Sequence, residues 1–314
     1  MGQILTIRLG FPVRVVGQPG LRAPGGRKLT HLSISLVQLR DVLVYLERIG
    51  VHYYRIGPLL KPELIAQLDE CHSELTDLAT YLAVHELRLT MHLDHGVGLA
   101  GDDHERASTG FALVEAHATL FATLDAQRPG KQIEGLMVAH LGASPSDPYA
   151  LERFANRYLA LSPCAQSRLA VEHEHAGFSL GQLLQLHQRC GVPVVFDALH
   201  WALHNPERLP LDLALGLALA TWPLNVRPKA HLSSARSEAH LLPGRASQPP
   251  RIVPPYPGQH ADFIVAEDLR RLLIAARGLP PFDLMLEAKA GDLALLRLRH
   301  EIARLDPTLA TRLR

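Results

Sequence analysis

The chain has 314 residues, 47% of them hydrophobic and 20% charged, which is ample for a sizeable core as one large α/β domain or two smaller ones. A formal net charge of +1 excludes a protein built throughout as an electrostatic trap for nucleic acid, while leaving room for a local basic lining. Three cysteines (Cys71, Cys164 and Cys190), odd in number and without C-x-x-C spacing, read as reduced, buried thiols of a cytoplasmic protein.

The opening MGQILT matches a myristoylation pattern, but Thr6 to Phe11 also reads as a strand, and the strand is the better reading. No charged-then-apolar leader opens the sequence. The apolar stretch from Leu211 to Leu224 contains Asp212 and Pro223 and is too short to span a bilayer. Neither a membrane nor a protein partner is implied.

Strand-like runs then alternate with segments of helical periodicity. In chain order the predicted strands are TIRLGF (6–11), YYRIG (53–57), LRLTMH (87–92), GLMVAH (135–140), RLAVEH (168–173), VPVVFDA (192–198), PKAHLS (228–233) and DLMLEAK (283–289). Between them, SLVQLRDVLVYLERIG (35–50) predicts a helix ended by Gly50. A second helix is expected over 62–86, with Pro62 at its first turn. Eight strands alternating with helices predict a single (β/α)8 barrel over residues 1–314, with loop insertions near 12–30 and 233–260.

Barrels of this kind build their active sites where the strands end. Those ends carry His92, His140, Glu172, Asp197 with His200, His231 and Glu287. Taken singly, each reads more readily as a core histidine or a solvated acid. Six successive strand ends of this chemistry point to metal. A nitrogen and oxygen donor set without thiolate suits Mn²⁺, Zn²⁺ or Fe²⁺. So many donors are enough for two or three ions with a shared carboxylate, an arrangement suited to phosphodiester hydrolysis. One ion would sharpen a water into hydroxide while its neighbour stabilises the departing oxygen.

The order of motifs IRLGFP, YRIG, LTMH, AHLGA, LAVEH, VPVVFDALHWALHNP, TWPLNVRPKAHLS, HADFI and MLEAKAGDLALL resembles the UV damage endonuclease family. These are metal-dependent DNA repair enzymes on a TIM barrel related to endonuclease IV and to sugar isomerase-like barrels. The resemblance implies that His92, His140, Glu172, Asp197, His200, His231, His260 and Glu287 hold up to three ions, typically manganese. His240 is the alternative to His260. It also implies catalytic weight on Glu172, Glu287 and Lys229, the last matching a lysine that the family can carry carboxylated.

Where that family inserts a Gln-Tyr pair into the duplex, this chain has His95 and Gly96, and Phe11 and Val15 replace a tyrosine and an asparagine. The metal chemistry is therefore expected to be retained and discrimination between irradiated and undamaged duplex to be weak. Arg8, with Arg14, Arg22, Arg27, Lys28, Arg236, Arg245 and Arg251, is expected to line a phosphate-binding rim or to form a solvated loop face. The function expected is a metal-dependent endonuclease nicking DNA. The alternative is a metal-dependent barrel acting on a sugar or another small molecule, since this fold serves both.

Overall fold

The computed structural model describes residues 6–25, 30–94, 97–244 and 249–314. Eight parallel strands close into a barrel: β1 (Leu9–Pro12), β2 (Tyr53–Ile56), β3 (Arg88–His92), β4 (Leu136–Ala139), β5 (Leu169–Glu172), β6 (Val194–Asp197), β7 (Lys229–Leu232) and, after a hairpin, β10 (Asp283–Leu286). Each follows its sequence neighbour around the ring, and β10 closes it between β7 and β1. Helices fill the crossovers, giving the (β/α)8 fold expected from the alternation. Seven of the eight strands fall inside the runs read from sequence, and β1 passes the end of its run by one residue, Pro12.

The helix expected over 35–50 runs over Leu32–Arg48. Its start lies earlier because His31 accepts from the Ser33 N–H and Gln67 Oε1 accepts from the Leu32 N–H at 2.8 Å. The long helix expected over 62–86 is broken into a 3₁₀ turn (Pro62–Leu64) and helices Gln67–Glu70 and His72–Val84. The break falls at Cys71, whose φ of −99° and ψ of 22° leave the helical region; Cys71 is buried as expected of the cysteines, whereas Cys190 is half-buried and Cys164 is exposed. In the 233–260 insertion, expected to be a loop, β8 (His240–Leu242) pairs antiparallel with β9 (Arg251–Val253).

The period-two alternation of each strand sorts its side chains between two environments. Leu89 and Met91 of β3 join the large apolar layer between barrel and helices. Inside the barrel, Leu136, Val138, Ala170 and Val195 pack with Trp222 and Val226 as a separate, smaller cluster. A contact between strands that are not neighbours must cross the lumen, and such contacts mark its levels. At the strand starts, Arg8 donates to Glu134 at 2.8 Å and Arg88 donates to Asp283 at 2.6 Å across the lumen, while Arg8 also donates to Asp283 of the neighbouring β10 at 2.9 Å. Above them the Lys229 ammonium nitrogen lies 3.4 Å from the Thr90 hydroxyl and 6.0 Å from the centre of the Tyr53 ring. At the strand ends the lumen becomes a ring of histidines and carboxylates.

This layering corrects one expectation. Arg8 is not on the substrate rim: it is buried at the opposite end of the barrel as part of an ion-paired plug. The sequence places it within a strand, but the stagger of the strands decides which end of the lumen it reaches.

Candidate metal centre

Glu172, the last residue of β5, stands at the middle of the ring and is buried. Its Oε1 accepts from Nδ1 of His231 at 2.9 Å, and its Oε2 accepts from Nε2 of His92 at 3.0 Å. His200 lies 3.6 Å from Oε1. Two donor groups meet at this carboxylate. His92, His140 and Glu172 can bring one donor atom each to within 4.8 Å of one another, and so can Glu172, Asp197, His231 and Glu287. Each set offers nitrogen and oxygen, and the shared member can bridge two ions.

The local structure fixes how each donor is presented. Asp197 ends β6 and caps the short helix Ala198–Leu203: its Oδ1 accepts the His200 N–H at 2.7 Å. That bond leaves Oδ2 buried and without a hydrogen-bond partner among the described residues. Nδ1 of His200 donates to the His173 carbonyl at 2.8 Å, which directs its Nε2 elsewhere. In His231, Nε2 is likewise buried and without a partner among the described residues. Buried polar atoms normally find partners. An orphaned carboxylate oxygen and an orphaned imidazole nitrogen, both on predicted ligands, are what a bound cation would satisfy.

Protonation also favours cations. Burial pushes the Glu172 carboxyl up, but the surrounding His231, His92 and His140 outweigh it and hold the group well below the usual carboxylate range. Glu287 is buried too, yet Arg55 and His231 hold it strongly ionised. Burial lowers His231, leaving a neutral ring with a lone pair to give. His200 differs: burial opposes its charge, but the Asp197 and Glu172 carboxylates outweigh that and raise the imidazole to about 9, so it must give up its Nε2 proton to ligate. Ionised acids beside an available imidazole are the forms that ligate metal.

The ring opens into a cleft of about 380 Å³ whose wall includes His92, His140, Glu172, His200, His260 and Glu287. His260 reaches it from the 233–260 insertion, with Nδ1 3.7 Å from Glu287 Oε2. His240 sits instead in a group with Glu238 and Asp262. Lys229 is fully buried two residues below His231 on β7. Burial, reinforced by Arg55 and Arg88, holds its amine well below the usual lysine range.

Three further cleft residues were missed from sequence. Arg55, the single charge in β2, donates to Glu287. Glu174 approaches His140 Nδ1 at 3.5 Å, and His175 packs beside His200 with tilted rings whose centres are 5.2 Å apart. A signal was present for the last two, because the VEHEHA run continues the acid and imidazole pattern past the end of β5. Phe11 is wholly buried, edge-on against Tyr54. Arg14, Arg22 and Arg251 are exposed, whereas Arg236 is buried and donates to the Pro254 carbonyl. His95, Gly96, Arg27, Lys28 and Arg245 lie outside the described residues.

The chain resembles several known proteins. A UV DNA damage endonuclease of Bacillus cereus (strain G9842) is 29% identical over 210 residues, covering 64% of this chain and 61% of that protein. One of Clostridium perfringens (strain 13 / Type A) is 22% identical over 288 residues, covering 88% and 65%. The match thus spans less than two thirds of either relative. Among solved structures, SacUVDE superposes with a TM-score of 0.76 at 24% identity, covering 96% of this chain and 99% of that one. A D-psicose 3-epimerase crystallised with D-fructose superposes at 0.54 and 13%, covering 90% and 85%. At such identities the structural likeness shows the shared barrel. The family model for UV-endonuclease UvdE matches residues 24–310, nearly the whole barrel and every candidate ligand at its rim, and the chain belongs to that family.

Proposed function

We propose that this protein is a divalent-metal-dependent endonuclease that nicks DNA by hydrolysing a phosphodiester. The observation that carries the reading is the shared Glu172 between two donor sets at the mouth of the barrel. Manganese is the proposed ion, two or three per chain, with zinc or iron as substitutes by donor type. Bound there, the ions would supply Lewis acidity towards the phosphate oxygens and towards water.

The chain's own residues have separate tasks. Glu172 and Glu287, held ionised, keep positive charge concentrated at the cleft floor. Asp197 and His200 are fixed by the cap and by the His173 carbonyl, so little reorganisation accompanies ligation. Arg55 sits beside Glu287 in the cleft wall, a guanidinium suited to a phosphate oxygen. Lys229 lies beneath the ligands, and we propose that it carries the carboxylated side chain implied by the family resemblance. A sugar isomerase-like reading rests on the barrel alone, and a barrel does not specify a reaction.

The test is plasmid nicking with added Mn²⁺, on irradiated and on undamaged DNA. Conversion of supercoiled to open-circular plasmid, abolished by chelator and by Glu172→Gln, is expected. Intact plasmid of both kinds across Mn²⁺, Zn²⁺ and Fe²⁺ would end the reading.

A further inference from the structure

The insertion after β7 does more than deliver His260. Its returning arm reads Pro254-Pro255-Tyr256-Pro257-Gly258, and Tyr256 is 56% exposed. Gly258 lines the metal cleft together with His175 and His260. A Cβ on Gly258 would stand 2.6 Å from His175 Nε2 and 3.0 Å from Tyr256 Cε1. The tyrosine ring therefore lies at the cleft mouth, next to a histidine of the cleft wall.

The segment is held firmly. Three prolines fix their φ angles. The Gln259 N–H donates to the Tyr256 carbonyl at 2.9 Å, closing a turn under the ring. The buried Arg236 clamps both ends, donating from its guanidinium to the Pro254 carbonyl at 2.6 Å and from its backbone to the Gln259 carbonyl at 2.8 Å. An antiparallel bridge between Ala235 and His260 ties the base of the insertion to the cleft. An exposed aromatic on so rigid a support loses little conformational freedom when it is covered.

We propose that Tyr256 is a stacking platform for a nucleobase turned out of the DNA duplex beside the phosphate to be cut. The proposal rests on the nuclease reading above and adds to it the residue that recognises distorted DNA. Base stacking on an aromatic face tolerates any base. The position is continuous with the candidate metal centre, and Arg251, exposed on β9 of the same insertion, adds positive charge for the backbone. It also supplies a phenol ring, where Gly96 has no side chain to stack.

The test is steady-state nicking, with Mn²⁺ and at one fixed salt concentration, of a duplex carrying one unpaired nucleotide and of the same duplex fully paired. Tyr256→Ala should raise KM for the bulged duplex by about 5- to 150-fold, the range expected for losing one base-stacking aromatic, with kcat changed little. The paired duplex should be nearly unaffected. Tyr256→Phe and Tyr256→Trp should keep the natural preference. A natural KM and preference in Tyr256→Ala would overturn the proposal, as would loss in Tyr256→Phe equal to that in Tyr256→Ala. If the natural protein nicks neither duplex with any of the three metals, the nuclease reading itself falls and takes this proposal with it.

Discussion

Glu172 and His231 meet at 2.9 Å across the barrel mouth, carboxylate oxygen against imidazole nitrogen, from strands β5 and β7 that share no backbone hydrogen bonds. Both are buried, and the other imidazole nitrogen, Nε2, has no partner among the described residues. The pair binds two parts of the ring into one electrostatic unit. Removing its charge should therefore affect both donor sets together.

Replacing Glu172 by Gln keeps the shape and an acceptor for His231 but removes the anion. Nicking should fall by roughly a hundredfold or more, the size of effect that follows loss of a preorganised charge in a closed site. Circular dichroism should remain that of the folded protein, while elemental analysis shows fewer ions. Natural metal content in this variant would remove Glu172 from the bridging role.

Protein purified without chelator and refilled with Mn²⁺ should carry more than one divalent ion per chain. Because the ions bind the folded state alone, the melting temperature should rise with Mn²⁺ concentration. Asp197→Ala and His231→Ala should each weaken that rise. A value reproducibly near zero ions per chain would sink the metal assignment altogether.

The two loop histidines separate cleanly. His260 faces Glu287 in the cleft, whereas His240 groups with Glu238 and Asp262. His260→Ala should therefore lower nicking by roughly tenfold or more, comparable with the loss of a group that tunes a metal site. His240→Ala should leave the rate nearly natural. The reverse order of effects would reassign the ligand.

At the other end of the barrel, Asp283 provides a pH prediction. Burial pushes its carboxyl up, but Arg8, Arg88 and Arg227 outweigh it and bring it down to about 2. A carboxyl whose folded value lies below its unfolded one binds its proton more readily when unfolded. Its stabilising contribution is thus complete above about pH 4 and lost as the pH falls towards 2. Asp283→Asn should destabilise the fold by roughly 3–5 kcal/mol near neutrality, since it leaves buried guanidinium groups without their counter-charge. It should also flatten the acid limb of the stability curve. Urea unfolding across that pH range measures both, and an unchanged acid limb would show that Asp283 does not dominate it.

The sequence by itself determined the barrel and the chemistry of its rim. Strand periodicity and helix punctuation are local properties, so eight strands and their last residues could be read one at a time. Acids and imidazoles at successive strand ends needed only the rule that such ends converge. Tertiary structure decided everything that depends on height within the lumen or on a neighbour distant in sequence. Arg8 was read as a rim residue because a two-residue period says which way a side chain faces but not how far up a staggered barrel it sits. Arg55 passed as an isolated strand arginine until closure of the ring set it against Glu287, 232 residues away. The hairpin at 240–253 and the clamp of Arg236 on Pro254 bring Tyr256 to the cleft mouth, and no local pattern announces either. Local backbone preference writes the strands; the closure and stagger of the barrel decide which side chains share one charge.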